Sequence, residues 1–400
     1  MKGWKIWKEN IVFNSKRLSV FSKHRFSGLR GIYLTTFFLN FGLTLLDIFI
    51  PVFIWQKTGQ IGIVFGFYFI YYLAVVLATP LAATLLKKFI SPDYAYFLSV
   101  LGRLTYLFFL FLGGQNQLFF FLAAFFWGLT VPFCWLPYYL TVVHEEKEDG
   151  FFGKEVSYMN LLSNLAAAFS PVLGGLLIAL YGAGSAYLLA GFFFVLSFLP
   201  LYFDRFNPSR VEFSFKDTQF FIKGKQEKSL KRAFWGNGLE AVAILSWPLF
   251  IFANLGQYQA LGLIKGLSIL FSFLLMIWIG RLVDRRGKKI INWGVGLNVF
   301  NWLWRVTART PLGFFIFDFL GTVGSILVNT PLQALVYEKA RGRYSPLEIL
   351  VAREMIINLA AALSCLVLAL FSKTPFFWPA SFFMGALGAA LVYGNDGQKE

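Results

Sequence analysis

The sequence predicts an all-α integral membrane protein with twelve transmembrane helices in two six-helix bundles, related by a pseudo-twofold axis along the membrane normal. Of the 400 residues, 58% are hydrophobic and 14% are charged, whereas ordinary soluble domains are about a quarter charged. The apolar residues come in blocks of about 20, the length that carries a helix across roughly 30 Å of hydrocarbon. Backbone amides in lipid must pair internally, which leaves helices or a closed barrel. The short alternating segments of a barrel are missing from the sequence.

Twelve apolar segments are long enough to cross the membrane. Three of the links between them, residues 56–60, 113–117 and 181–185, are so short that they force antiparallel neighbours. One long polar stretch divides the segments six and six. The predicted spans are 29–55, 60–86, 94–113, 117–143, 156–181, 184–203, 233–254, 258–281, 290–308, 311–337, 346–371 and 376–393.

The prediction divides the chain into five parts. A basic arm, residues 1–28, is followed by a first bundle, 29–203, a linker, 204–232, a second bundle, 233–393, and a tail, 394–400. The linker and the tail are expected in the cytoplasm. The arm mixes aromatic with basic residues, so an interfacial helix and a disordered cytoplasmic tail both remain open.

The distribution of Lys and Arg predicts the orientation in the membrane. Basic residues concentrate in the arm, the even-numbered loops and the tail, whereas the odd-numbered loops contain Lys57, Arg309 and Lys373. This positive-inside pattern predicts a multi-pass protein of the cell membrane with both termini in the cytoplasm. The net charge of +16 therefore reflects topology and contact with anionic membrane lipids, and no nucleic-acid partner is expected.

An internal repeat relates the two halves. Residues 164–170, NLAAAFS, recur as residues 358–364, NLAAALS, at an offset of 194, and Pro137 and Pro331 are separated by the same offset. The ends of spans two and eight correspond at an offset of 200. A repeat of unchanged orientation is the layout of two bundles related by an axis along the membrane normal.

The loop after span eight contains the most specific motif. Residues 280–289 read GRLVDRRGKK, which resembles the cytoplasmic loop signature G-x-x-x-D-R-x-G-[RK]-[RK] of the major facilitator superfamily. The resemblance implies a tight turn at the glycines, hydrogen bonds from the start of span five, residues 154–157, to the aspartate, and basic side chains at the lipid surface. The matching residues are Gly280, Asp284, Arg285, Gly287, Lys288 and Lys289.

The first half departs from the pattern of that family. Pro80 and Thr84 replace the Gly and Asp of the first copy of the signature. Residues 171–175, PVLGG, resemble the end of an antiporter stretch whose upstream glycines are missing here. Span four also lacks the arginine of the R-x-x-Q-G element. The missing arginine argues against a typical proton-coupled drug exporter, and the missing glycines mean that an antiporter does not follow from the stretch.

Charged residues inside the spans are the strongest site candidates, because an unpaired charge in a bilayer costs several kcal/mol. Asp47, Glu240 and Asp318 lie in spans one, seven and ten, which the resemblance places around a central cavity. Asp47 belongs to LLDIFIP, which resembles the first-helix L-D-x-x-x-P stretch of the family. Each carboxylate could bind a solute or carry a coupling proton, and a structural ion pair is the alternative.

Other candidates are basic, polar or aromatic. Lys265 could bind an anionic group, neutralise Asp47 across the cavity or extend to the outer interface. Arg103 and Arg305 lie on helices that the family places peripherally, so structural roles are expected for them. Further candidates, each of which could instead satisfy an interhelical hydrogen bond, are Asn40, Trp127, Tyr138, Asn164, Trp247, Asn329, Gln333 and Asn358.

These features predict a monomeric secondary transporter of a small-molecule solute that works by alternating access, with proton coupling as one option. The sequence has no G-x-x-x-x-G-K-[ST] loop, so ATP hydrolysis is not expected. His24 and His144 have no metal-ligand spacing, and neither enzyme activity nor a cofactor is predicted. A transporter-like lipid flippase or sensor stays open as an alternative, and a membrane-embedded lipid-modifying enzyme is the less favoured one.

Overall fold

The computed structural model describes residues 27–149, 152–203, 212–224, 227–286, 290–339 and 345–393. Most of the predicted basic arm and all of the predicted tail lie outside these ranges. At several helix ends, among them residues 152–162 and 276–286, the backbone alone is described.

The described chain is helical and contains no strand. A single 3-10 turn, Arg305–Thr307, follows one of the helices. The helices are α1 (Ser27–Leu46), α2 (Ile50–Thr58), α3 (Ile61–Lys88), α4 (Pro92–Leu112), α5 (Leu118–Asp149), α6 (Phe152–Tyr181), α7 (Ala183–Phe203), α8 (Phe215–Lys223), α9 (Lys228–Leu255), α10 (Tyr258–Arg286), α11 (Ile290–Trp304), α12 (Pro311–Lys339), α13 (Pro346–Phe371) and α14 (Phe377–Leu391).

Ten helical stretches of the described chain are long and apolar enough to cross a membrane, with α1 and α2 counted as one stretch. Their surfaces carry large exposed apolar side chains such as Leu188 and Leu370, as expected where lipid is the solvent. The prediction of an all-α, multi-pass membrane protein is therefore confirmed. The number twelve stays a prediction, because α11 and α14 have 15 residues each, or about 22 Å of helix.

The first predicted span is two helices with a turn between them. Pro51 stands in the first turn of α2, where its ring excludes the helical hydrogen bond to the carbonyl group of Asp47. The backbone accordingly leaves the α-helical pattern at residues 47–49. Ile48, which lies in this break, lines the cavity described below.

The helices of the two halves pack in the same pairwise pattern. In the first half, α1 packs on α6 and α7, α3 on α5, and α4 on α5 and α7. In the second half, α9 packs on α13 and α14, α10 on α12, and α11 on α12 and α14. The most extensive contacts between the halves join α3 to α13 and α6 to α10.

Glycines permit the close approach of α6 and α10. A Cβ atom added at Gly175 would lie 2.6 Å from the carbonyl oxygen of Tyr258, and one added at Gly262 would collide with the carbonyl oxygen of Pro171. Residues 171–175, which the sequence identified as an antiporter-like stretch, thus form part of a tight helix–helix contact.

The predicted linker contains a short helix, α8, and the residues just before it contact both halves. Lys87, at the end of α3, donates a hydrogen bond to the carbonyl oxygen of Phe213 (2.7 Å). The backbone amide of Ser214, the N-cap of α8, donates to Glu348 near the start of α13 (3.2 Å). Glu348 also completes a capping box with Ser345. The linker residues 212–214 are therefore anchored to both α3 and α13.

Candidate functional site

A cavity of about 290 Å³ lies among α9, α10, α11 and α12, next to the turn between α1 and α2. Its volume is close to the lower end of the range for small-ligand sites, about 300–1,000 Å³. Its polar wall includes Glu240, Trp247, Lys265, Trp302, Arg305 and Asp318, and its apolar wall includes Ile48, Ile244, Ile251, Leu261, Ile264 and Ile269. Three of the four charged residues predicted as site candidates thus line one cavity.

Asp318 forms an ion pair at this cavity. Its carboxylate, 1% exposed, accepts hydrogen bonds at Oδ1 from Lys265 Nζ (3.2 Å) and Trp247 Nε1 (3.0 Å). The other oxygen, Oδ2, is buried with no hydrogen-bond partner among the described residues. Lys265 therefore pairs with Asp318 and not with Asp47, the partner considered from the sequence.

Glu240 lies in the same wall and accepts hydrogen bonds from two side chains of α11. Trp302 Nε1 (3.0 Å) and Asn298 Nδ2 (3.4 Å) donate hydrogen bonds to Glu240 Oε1. The buried guanidinium group of Arg305 also interacts electrostatically with this carboxylate. Each acidic residue of the cavity thus has a basic counterpart, as buried charges require.

Arg305, for which a structural role was expected, lines the cavity and packs against both of its tryptophans. Its guanidinium carbon lies 3.8 Å from the ring centroid of Trp302 and 4.5 Å from that of Trp247. The amide oxygen of Asn301, in the orientation that satisfies both groups, accepts a hydrogen bond from Arg305 Nε at 3.2 Å. Gly321 of α12 leaves room for the guanidinium group, because a Cβ atom there would collide with it.

Sequence reasoning missed the participation of Arg305, although a signal was present. Asn298, Asn301, Trp302 and Arg305 are spaced i, i+3, i+4 and i+7, so they share one face of a helix. All four side chains are buried. A polar stripe on an otherwise apolar helix indicates an interior-facing surface.

Asp47 lies in the other half. Its side chain is exposed, yet its charge interacts with the buried Arg103 of α4 and with the hydroxyl groups of tyrosines in α3 and α4. Trp127 belongs to the same region, since its ring lies 4.3 Å from that of Tyr71 and 4.9 Å from that of Tyr106.

The remaining polar candidates are not in the wall of the cavity. Asn358 donates hydrogen bonds to Glu354 of its own helix, whereas its repeat partner Asn164 is half-buried in α6. Asn40 donates to Ser163 (3.0 Å). The other three are Tyr138, which is half-buried and lies beside Trp135, Asn329, which is half-buried, and Gln333, which is exposed.

The loop signature is described only in part. Helix α10 continues through Gly280 and Asp284 to Arg286, so the turn expected at Gly280 is not present there. The side chains of Asp284 and Arg285 are not described, and Gly287, Lys288 and Lys289 lie outside the described residues. The role of Asp284 stays a prediction.

Comparison with known proteins identifies the family of the chain and a solved structure with a similar fold. The family model described as Major Facilitator Superfamily matches residues 32–347. The fold is similar to the in meso crystal structure of the POT family transporter PepTSo, with a TM-score of 0.73 and 11% identity, over 91% of this chain and 96% of that chain. No curated protein matches the chain significantly. The chain belongs to the major facilitator superfamily and is a membrane transporter, not an enzyme.

Proposed function

We propose that the chain is a secondary active transporter that carries a small solute by alternating access of two six-helix bundles, residues 29–203 and 233–393. The observation that carries the proposal is the cavity next to the α1–α2 turn. It combines two acidic and two basic side chains with an apolar wall inside a membrane protein. Charges buried inside a membrane protein are costly and typically belong to a substrate or ion pathway.

The contacts between the halves support alternating access. Under the internal repeat, span two corresponds to span eight and span five to span eleven, so the α3–α13 contact corresponds to the α10–α6 contact. Two equivalent interfaces on opposite sides of a central path would let one bundle rock against the other. Tyr258 at the start of α10 also donates a hydrogen bond to Gln56 at the end of α2 (2.6 Å), a link that such a movement would break.

Lys265 and Asp318, which form the ion pair of the cavity, are proposed to bind the solute. Lys265 retains 28% side-chain exposure, so its ammonium group can reach a ligand in the cavity while Asp318 Oδ2 still needs a donor. A solute that offers a donor and an acceptor would satisfy both groups.

We further propose that Asp47 is the residue that couples transport to protons. Its side chain is exposed, and the basic group whose charge acts on it is that of Arg103. A carboxylate without a bonded partner can exchange a proton as the opening changes sides.

Uptake into proteoliposomes tests the proposal. Purified protein is reconstituted and screened with a library of small solutes, with and without an inward proton gradient. We expect accumulation of at least one solute above empty liposomes, and a loss of tenfold or more in Lys265→Met and Asp318→Asn. Asp47→Asn should lose the stimulation by the proton gradient while keeping solute exchange.

Matched controls separate function from folding. The variant Asp217→Asn, on the exposed face of α8, should transport like the parent protein, and all variants should elute as single peaks in size exclusion. Lipid scrambling without uptake of any solute would overturn the proposal in favour of a flippase.

A further inference from the structure

We propose that the cavity next to the α1–α2 turn binds a small zwitterion with an apolar body, the chemical class to which the free aliphatic amino acids belong. The carboxylate of the solute pairs with Lys265, and its ammonium group pairs with Asp318. This inference deepens the proposed function, on which its role in transport rests. Binding to the cavity can be tested without transport.

The charged side chains that line the cavity sum to zero. Glu240 and Asp318 contribute two negative charges, and Lys265 and Arg305 contribute two positive ones. A solute with a net charge would leave one charge uncompensated inside a membrane protein, which is costly. The balance therefore disfavours simple cations and anions, and it leaves uncharged molecules and zwitterions as solutes.

The two acidic groups differ in how firmly their surroundings are fixed. Arg305, which acts on Glu240, is 4% exposed and lies against two tryptophan rings, and Glu240 accepts hydrogen bonds from two side chains of α11. Lys265 retains 28% exposure of its side chain, and its one ion pair among the described residues is with Asp318 at 3.2 Å. The four-carbon stem of a lysine is flexible. The Lys265–Asp318 pair is therefore the one that a solute can open.

Each member of the opened pair needs a replacement of the right charge, since a buried charge without a partner is costly. The ammonium group of the solute takes the place of Lys265 Nζ at Asp318 Oδ1, where Trp247 Nε1 continues to donate at 3.0 Å. Asp318 Oδ2, which has no hydrogen-bond partner among the described residues, can accept a second bond. The carboxylate of the solute replaces Asp318 at Lys265. An uncharged solute supplies neither charge, so the zwitterion is the class that fits.

The rest of the wall determines the body of the solute. Branched aliphatic side chains line the cavity at Ile244, Ile251, Leu261, Ile264 and Ile269. The volume of about 290 Å³ is close to the lower end of the range for small-ligand sites. A short apolar side chain gains contact with these surfaces, whereas an additional charged group would again upset the balance of charge.

Equilibrium binding to the purified full-length protein tests the inference with three compounds that share one branched carbon skeleton. L-Leucine carries both charged groups, isocaproate carries the carboxylate alone, and isoamylamine carries the ammonium group alone. We expect saturable binding of L-leucine, and binding at least tenfold weaker for each of the other two. A parent protein that does not bind L-leucine, or that binds the three compounds equally, overturns the inference even if no variant folds.

Single variants should change the selectivity in opposite directions, which a purely structural role would not do. In Lys265→Met, Asp318 loses the cation of its ion pair, so isoamylamine should bind at least tenfold more tightly than to the parent protein, while L-leucine binds more weakly. In Asp318→Asn, Lys265 loses its anion, so isocaproate should gain in the same way. Loss of L-leucine binding without either gain, in variants that elute as single peaks, would overturn the assignment of the two groups.

A conservative variant and a distant one serve as controls. Lys265→Arg keeps the positive charge and should retain most of the binding of L-leucine. Asp217→Asn, on the exposed face of α8, should bind all three compounds like the parent protein.

The binding and transport assays can fail separately. A protein that accumulates another solute in liposomes but does not bind L-leucine rejects the zwitterion and leaves the transport proposal standing. Binding of L-leucine with the expected changes of selectivity, in a protein that carries no solute, supports the inference and rejects the transport proposal.

Discussion

At the scale of single residues, the sequence identified which groups are costly to bury but not how they pair. Asp47, Glu240, Lys265 and Asp318 stand out because they interrupt apolar segments. Their partners depend on the rotation of each helix about its axis, which a single sequence leaves undetermined. Lys265 consequently pairs with Asp318, and Arg305 joins the cavity although its helix was expected to be peripheral.

Removing the indole donor of Trp302 should destabilise the protein. In Trp302→Phe the ring remains above Arg305, but Glu240, which is 6% exposed, loses the 3.0 Å hydrogen bond from Nε1. A buried charged acceptor that loses a donor costs about 1–3 kcal/mol. Thermal unfolding of the detergent-purified variant measures the loss. The control is Trp304→Phe, two residues away and 51% exposed, which should leave the midpoint unchanged.

Breaking the ion pair from one side should cost more than removing both partners. Lys265→Met leaves Asp318 bonded through its side chain to Trp247 alone among the described residues, and we expect a loss of about 3 kcal/mol, since an uncompensated charge then stays buried. In the double variant Lys265→Met, Asp318→Asn no such charge remains, so part of the stability should return. Denaturant unfolding of both single variants and the double variant gives the coupling energy. Equal losses in the single and double variants would contradict this reasoning.

At the scale of helices, the apolar blocks located the elements well, because helix length in a membrane is set by the thickness of the hydrocarbon. Each predicted span coincides with a helix or, for the first, with α1 and α2. The break at residues 47–49 was predictable from Pro51. Helix α8 was missed because a nine-residue amphipathic helix within a polar linker has no apolar block, although Ser214 gives it an N-cap.

The α6–α10 contact should be intolerant of added volume. Gly262→Ala places a Cβ atom against the carbonyl oxygen of Pro171, so the two helices must separate or bend, at a cost of about 1–3 kcal/mol. Gly296→Ala is the matched control, because nothing lies within 4 Å of its added Cβ atom and alanine favours the helix. Thermal unfolding should therefore fall for the first variant and stay equal or rise for the second. The reverse order would show that the helices do not pack through Gly262.

At the scale of the whole molecule, the repeat predicted which helices correspond, and the shared packing pattern of the two halves agrees with it. The repeat could not predict which helices join the halves, since α3–α13 and α6–α10 contacts depend on the surfaces that each half presents. Sequence hydrophobicity also does not determine the number of membrane crossings. Helix α11 is only 15 residues long and contains the polar stripe, so its apolar character does not show whether it crosses.

Accessibility of single cysteines will decide whether α11 crosses the membrane. Nine crossing-length stretches lie between Lys57 and Lys373, and α11 would be the tenth. If α11 crosses, these two positions lie on the same side of the membrane, and the positive-inside pattern places that side outside the cell. We therefore expect Lys57→Cys and Lys373→Cys to react with an impermeant thiol reagent in intact cells. Lys223→Cys, on the exposed face of α8, should react only after permeabilisation.

The parent protein provides the background for this measurement, because Cys134 and Cys365 are both buried and should remain unlabelled. Labelling of positions 57 and 373 from opposite sides would mean that α11 does not cross. Its buried face, which holds Glu240 and Arg305 in place, would then belong to a re-entrant helix that enters and leaves on one side. The two halves would no longer be equivalent in topology, and alternating access by two matching bundles would have to be abandoned.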